Sequence, residues 1–228
     1  MKDLSTLKQE MQDVVENNIL RFWLDNMQDQ EHGGFYGQMT GDGTLVKDAP
    51  KGAILNGRIL WSFSAAYRVL RKKEYLEAAT RALDYIVEHF LDTENGGTFW
   101  SLNADGTPLD TKKQFYAQGF MLYGMTEYVR ALVADGKDTD EGETALKMAC
   151  HLYTIIEMHA WDKEFGGYIE AQTREWGEIA DMRLSELDAN YPKSQNTHLH
   201  IIEPYANFYR MIQELKEDEH PLCGLISE

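Results

Sequence analysis

A chain of 228 residues, 43% hydrophobic and 11% aromatic, can bury a sizeable core as one domain, which excludes a disordered tail. Its 38 acidic residues against 22 Lys and Arg leave a formal charge of -16 with no basic run to offset it, so neither nucleic acid nor an anionic membrane is expected as a partner. The amino-terminal stretch has no apolar signal core, no segment approaches the roughly 20 apolar residues of a membrane span, and Cys150 and Cys223 are widely separated, all of which fits a cytoplasmic, reducing location.

Residues 4–30 predict a first helix, because Leu4, Leu7, Met11, Val14, Val15, Ile19, Leu20, Trp23 and Leu24 recur at three and four residues. Residues 52–72 are apolar nearly all round and rich in Ala, Gly and Ser, the composition of a helix enclosed by others. Residues 74–90 set Leu76, Ala79, Leu83 and Ile86 against Glu74, Glu77, Arg81, Asp84 and Glu88, a surface pattern. Residues 113–133 are again apolar on most sides, 140–160 are amphipathic, and a sixth helix covers about 195–215. Inner and outer helices therefore alternate.

The connections alternate as well, long at 31–51, 92–111 and 162–193 and short between. Each long one opens alike: Glu31-His32-Gly33-Gly34-Phe35-Tyr36, Glu94-Asn95-Gly96-Gly97-Thr98-Phe99-Trp100, and Glu164-Phe165-Gly166-Gly167-Tyr168-Ile169. A Gly pair followed by aromatic or β-branched residues suits a tight turn and a short strand, with hairpins closed at Gly41-Asp42-Gly43 and Asp105-Gly106. The chain thus consists of repeats of roughly 60 to 70 residues, two helices and one decorated loop each, a pattern that also fits a helical solenoid without catalysis.

If the long loops share one end, the inner helices run parallel and their first turns face one cavity. Polar residues interrupt those turns: Asn56 and Arg58 beside Trp61, then Tyr116, then Asn196, His198, His200 and Glu203. Arg58 on an apolar helix needs an anion or several acceptors, from a buried carboxylate partner or from a ligand. Asn196, His200 and Glu203 share a helix face, while His198 diverges from His200 by about 200 degrees, which argues against a joint metal site. A histidine beside an amide and a carboxylate suits proton transfer or hydrogen bonding to sugar hydroxyls. Phe35, Tyr36, Phe99, Trp100, Trp161, Tyr168 and Trp176 near the loops would suit stacking on sugar faces or simple packing. Asp162, Glu164 and Glu203 offer carboxylates for glycoside hydrolysis, but nothing marks two of them as a pair.

With Gly57-Arg58-Ile59-Leu60-Trp61, Phe115-Tyr116-Ala117 and Lys193-Ser194-Gln195-Asn196-Thr197-His198-Leu199-His200 followed by Glu203 and Tyr205, residues 5–212 resemble the N-acylglucosamine 2-epimerase superfamily, specifically its cellobiose 2-epimerase branch. The resemblance implies an all-α fold built from helical hairpins of an (α/α)6 barrel, with a sugar site inside. It implies epimerisation at C2 of a reducing-end aldose, in a β-1,4-linked disaccharide or a monosaccharide, with no metal or organic cofactor. Arg58 and His200 would be catalytic, Tyr116 and Asn196 would bind substrate, and Asn56, Trp61 and Glu203 would lie nearby. An N-acylglucosamine 2-epimerase, an aldose-ketose isomerase, or a non-catalytic sugar-binding protein are the competing functions. Gln195 and Pro204 depart from the branch pattern, and Pro204 is expected to kink the sixth helix.

A closed ring of twelve helices needs roughly 350 residues or more. The chain therefore reads as a single domain, 1–228, forming the amino-terminal half of such a ring, with 213–228 a divergent tail. Weak or absent activity is expected of a truncated half, and so is self-association, as a homodimer or by aggregation, through an inner-helix face exposing Trp61, Phe63, Phe120 and Tyr123.

Overall fold

The computed structural model describes residues 3–217. The first rod comprises α1 (Leu4–Val14), a π-helical stretch (Val15–Leu20) and α2 (Arg21–Asn26), and starts where the Asp3 carboxylate accepts the Thr6 N–H at 2.8 Å. Five further rods follow: α3 (Ala53–Leu70), α4 (Lys73–Tyr85) prolonged by π-helical Ile86–Phe90, α5 (Phe115–Val133), α6 (Asp140–His159) and α7 (Gln195–Glu217). These are the six expected helices. In α5 every residue but Tyr123 is buried, as its all-round apolar composition requires. It lies between α3 and α7, while α4 packs on α3 and α6 on α5. No helix of the described residues is long and apolar enough to cross a membrane.

The inner helices touch at glycines. A Cβ on Gly57 would fall 2.8 Å from the Phe120 carbonyl oxygen, and one on Gly119 would fall 2.5 Å from that of His200. Only glycine permits such backbone approach. Pro204 has no N–H to give the His200 carbonyl, and that oxygen is the one facing Gly119. α7 stays helical through Pro204, from Gln195 to Glu217.

At the loop end a single device recurs three times. Asp29, Asp92 and Asp162, each four residues before a Gly pair, accept loop N–H groups on one oxygen and a lysine on the other. Lys51, Lys113 and Lys193, which stand just ahead of the inner helices, also donate to the carbonyls of Gly33, Gly96 and Gly166 at 2.9, 2.8 and 2.6 Å. Both glycines of each pair adopt positive φ. Each clip joins the end of an outer helix, the loop and the start of an inner helix. Adjacent repeats are stitched by short antiparallel strands: β1 (Lys51–Gly52) pairs with β2 (Ser101–Leu102), which also pairs with β3 (Pro108–Asp110), and β4 (Lys113–Gln114) pairs with β5 (Ala171–Gln172). At the opposite end, buried Glu127 and Arg130 bind Arg68, Asn207 and Glu214, tying α3, α5 and α7 together.

The expected apolar inner face is corrected in part. Phe63 is buried because it faces the outer layer, between Phe35 and Tyr75 at 6.0 and 6.3 Å, and Phe120 is buried beneath Arg58 and His200. Trp61 and Tyr123 are half-buried against each other at 5.1 Å. Exposed apolar side chains occur on the first rod (Leu4, Leu7, Met11, Val14, Val15, Ile19) and on α7 (Leu199, Ile202, Tyr209), with others such as Met158, Phe165 and Leu187 on α6 and the third long loop.

The Lys113–Asp92 and Lys51–Asp29 side chains are fully buried, whereas those of Lys193 and Asp162 retain 26% and 20% exposure. Lys113→Met is therefore expected to destabilise by about 3 kcal/mol, since it strips a partner from a buried carboxylate, and Lys193→Met by about 1 kcal/mol or less, both read from urea unfolding. Burial alone would raise the Asp92 pKa, but Arg174, Lys113 and the Asn95 N–H together hold it well below the usual carboxylate range. The folded carboxyl thus protonates less readily than the unfolded one. The stability it adds is complete above the unfolded pKa of about 3.9, and unfolding free energy is expected to drop as pH falls below that value.

Candidate active site

The first turns of α3, α5 and α7 converge as parallel inner helices should. The arrangement of α7 begins with Ser194, whose hydroxyl accepts the Thr197 N–H at 3.1 Å, and with buried Glu170, whose carboxylate accepts the Ser194 N–H at 2.7 Å and the Thr197 hydroxyl at 2.6 Å. An acidic group at a helix start also complements the helix dipole. From that anchor His200 lies one and a half turns along, against Tyr116 and Phe120 of α5 at ring distances of 4.6 and 4.9 Å.

Arg58 of α3 reaches over from the other side, its guanidinium 4.4 Å from the Phe120 ring centre. The side chain is exposed and, among the described residues, forms no ion pair, unlike Arg68, Arg130 and Arg174, which all meet carboxylates. Of the two partners expected for Arg58, the buried carboxylate is therefore absent. A cation stacked on an aromatic face keeps its charge and its remaining donors available. Burial raises the Tyr116 pKa, and the Arg58 charge beside it works in the opposite direction. Tyr116 is therefore a neutral hydroxyl donor at neutral pH.

His200 Nδ1 lies 2.8 Å from a Glu203 carboxylate oxygen. A carboxylate can only accept, so Nδ1 carries a proton and, in the neutral imidazole, Nε2 presents the lone pair. His198 is used differently: its Nδ1 donates to the Ser194 carbonyl at 2.6 Å and its Nε2 accepts the Tyr168 N–H at 2.9 Å. Both nitrogens are occupied, one by the start of α7 and the other by the third Gly-Gly loop, unlike those of His200.

Counting from the clip lysines explains who does what. Five residues on stand Asn56, Gln118 and His198. Gln118 exchanges two 2.9 Å hydrogen bonds with the Thr98 backbone, as His198 holds Tyr168. Asn56 occupies the same supporting position, is buried, and donates to the Gly52 carbonyl; the shorter amide leaves its oxygen without a partner. Asn56 thus turns back onto the start of its own helix. Seven residues on stand Arg58, Phe120 and His200, which form the wall. Asn196 is exposed one turn before His200 and lines a small adjoining cavity with Glu170, Arg183, Asp188 and Lys193, so it borders the cluster. Trp61 packs on Tyr123 and lines a groove between α1 and α3.

Phe120, which supports both Arg58 and His200, has no motif of its own; its signal is the seven-residue offset from Lys113. The clips carried a plainer one, an Asp four residues before every Gly pair. Most of the loop aromatics prove to be packing: Phe35, Tyr36 and Phe99 are buried, and Trp176 stacks on His159 at 4.1 Å while donating to the Asn95 carbonyl. Asp162 is committed to Lys193, so it is not free to act on a glycosidic bond.

Three outer–inner helical hairpins with polar first turns on the concave side form a segment of an α/α toroid. The chain belongs to the N-acylglucosamine 2-epimerase (GlcNAc 2-epimerase) family, whose profile matches residues 9–206. It is 54% identical over 224 residues, 97% of its length, to a cellobiose 2-epimerase of Bacteroides fragilis, of which it covers 55%. A cellobiose 2-epimerase of Dictyoglomus turgidum is 35% identical over 228 residues, 99% of this chain and 56% of that one. The solved structure of the Bacillus thermoamylovorans cellobiose 2-epimerase superposes with a TM-score of 0.83 and 36% identity over 95% of this chain and 54% of that chain. The fold is thus about half of the (α/α)6 barrel, and the chain spans about half the length of the curated relatives it matches.

Because the His200 carbonyl occupies the space of any Cβ at Gly119, Gly119→Ala is expected to push α7 away from α5 at a cost of about 1–3 kcal/mol. Chemical denaturation measures that cost, and tryptophan-free variants are not needed.

Proposed function

We propose that the Arg58–Tyr116–His200–Glu203 wall binds the reducing-end aldose of a β-1,4-linked disaccharide such as cellobiose and acts at its C2 through an enediolate. The observation that carries this reading is Arg58, a cation that meets no carboxylate among the described residues, set on Phe120 beside a neutral tyrosine and a histidine. The names of the relatives, cellobiose 2-epimerases, supply the substrate class.

Epimerisation removes a weakly acidic proton from C2 of the open-chain sugar and returns it to the other face. Negative charge then builds on the oxygens at C1 and C2, where Arg58 would stabilise it and the Tyr116 hydroxyl would donate a hydrogen bond. His200, with Nδ1 pinned by Glu203, would present Nε2 as an acceptor toward the sugar, either for a hydroxyl or for the proton in transit. Asn196 would bind a hydroxyl at the rim of the wall. The described residues offer one such histidine–glutamate pair, whereas the two faces of C2 need proton-handling groups on both sides, so slow turnover is part of the proposal.

The test is proton–deuterium exchange at C2 of cellobiose in heavy water, followed by NMR. Slow exchange that falls at least about 100-fold in Arg58→Ala is expected, corresponding to loss of one charge-stabilising donor. Absence of exchange together with absence of cellobiose binding would contradict the proposal, and exchange with N-acetylglucosamine but not cellobiose would move the substrate to the acylated sugar.

A further inference from the structure

The turn that closes the hairpin of each long loop is built the same way three times. The N–H groups of Thr40, Asn103 and Thr173 each donate to the carbonyl four residues on, and those of Gly43, Gly106 and Trp176 each donate to the carbonyl three residues back. The residue in that last position has positive φ every time, 87° and 90° at the two glycines and 64° at Trp176. A left-handed backbone is open to glycine and unfavourable for tryptophan. Arg71, which shares it, closes the end of α3, where a left-handed residue is routine. Trp176 closes no helix, so contacts of its side chain must offset the strain.

Those contacts lead onto the second clip. The indole stacks on His159 of α6 at 4.1 Å and 16° and on Phe115 at the start of α5 at 6.2 Å, and its Nε1 donates to the Asn95 carbonyl at 2.7 Å. The clip lysine, Lys113, lies 5.3 Å from the ring centre, and a Cβ on Gly97 would fall 2.9 Å from the indole edge. In the first clip the same place is held by Tyr85 of α4, whose ring lies 4.5 Å from Lys51 and over Gly34. Tyr85 stands seven residues before Asp92; seven residues before Asp162 stands Ile155, which has no ring. The aromatic cover of the buried ion pair therefore comes from an outer helix in the first clip and from the third long loop in the second. Arg174 strengthens that attachment by donating to both Asp92 oxygens at 2.9 Å and to Glu94 at 2.7 Å.

Residues 177–193 then lead from Trp176 to α7. Gln114, beside the clip lysine, donates to the Met182 and Arg183 carbonyls at 3.1 and 2.9 Å, and both of these residues line the small cavity that includes Asn196. The second clip and the start of α5 thus hold the third loop at two places, one of which is the strained turn.

We propose that Trp176 is a positioning residue: by capping the second clip it holds the third long loop as a fixed rim beside Asn196, so that the cavity there keeps one shape for the substrate. Its part in binding rests on the sugar reading given above, and its hold on the loop does not.

Native-state cleavage by trypsin after Arg183 reads that hold. Trp176→Gly is the decisive variant, because the other two turns already carry glycine and the substitution removes the strain together with the indole. Cleavage is expected to accelerate at least about tenfold with circular dichroism unchanged, since proteolysis follows local opening. Trp176→Phe, which keeps a ring over Lys113 and loses the Asn95 hydrogen bond, should fall between the two, and it carries the comparison if the glycine variant unfolds as a whole. The glycine variant should also weaken cellobiose binding about tenfold with the rate of C2 exchange at saturation unchanged, because the rim adjoins Asn196 while charge on the sugar oxygens is met by Arg58. Cleavage that is unchanged or slower in Trp176→Gly would overturn the proposal, since the turn would then merely tolerate the indole. Faster cleavage with unaltered affinity would overturn the positioning role. A wild-type chain that binds no cellobiose would contradict the sugar reading alone, and the cleavage comparison would still decide the hold on the loop.

Discussion

The fold hangs on the buried ion pair between an aspartate at the end of an outer helix and a lysine at the start of the following inner one. A lysine and an aspartate taken out of water are costly to bury unless each finds further partners, and here each does. The aspartate accepts two loop N–H groups, and the lysine adds a glycine carbonyl. The long loops, which would otherwise be free to wander, are thereby drawn into one geometry three times over. That geometry fixes where each inner helix begins and hence which residue of its first two turns faces the concave side.

The site follows from this phasing. Two residue positions, five and seven after the lysine, point to opposite duties: in the second and third repeats the fifth, Gln118 and His198, holds the Gly-Gly loop, and the seventh faces the cavity. Glycines at the crossings of α3 with α5 and of α5 with α7 then let the backbones come close enough for residues on three separate helices to touch. Arg58 resting on Phe120, and His200 packed against both Phe120 and Tyr116, are products of that approach. The polar wall is thus cheap to orient, since the scaffold sets it and few side chains must hold one another.

Much of this was legible in the sequence. The alternation of all-round apolar and amphipathic segments marks inner and outer helices because burial on every side leaves no room for charge, and the Gly pairs mark the loops because positive φ selects glycine. Arg58, Tyr116 and His200 stand out as polar groups in apolar surroundings, and they do meet. Asn56 stands out by the same rule yet donates to the Gly52 carbonyl at the start of its own helix, because hydrophobic context cannot tell a residue facing a cavity from one turned back onto its own backbone. The inner-face aromatics misled for a related reason: Phe63 and Phe120 read as exposed only if the concave side is taken as their sole neighbour, and it is tertiary packing that gives Phe63 to the outer layer. The clips are hidden because an isolated Asp or Lys in an acidic, charged chain carries no signal until the three repeats are aligned.

The central claim is that the wall seven positions beyond each clip, and not the support five positions beyond it, meets the sugar. Titrating cellobiose into nitrogen-15-labelled protein and following the side-chain resonances of Arg58, His200, His198 and Asn56 tests it directly. Arg58 Nε and the His200 ring nitrogens are predicted to shift together and saturably, with His198 and Asn56 unmoved. Saturable shifts at His198 and Asn56 with Arg58 and His200 silent would contradict it.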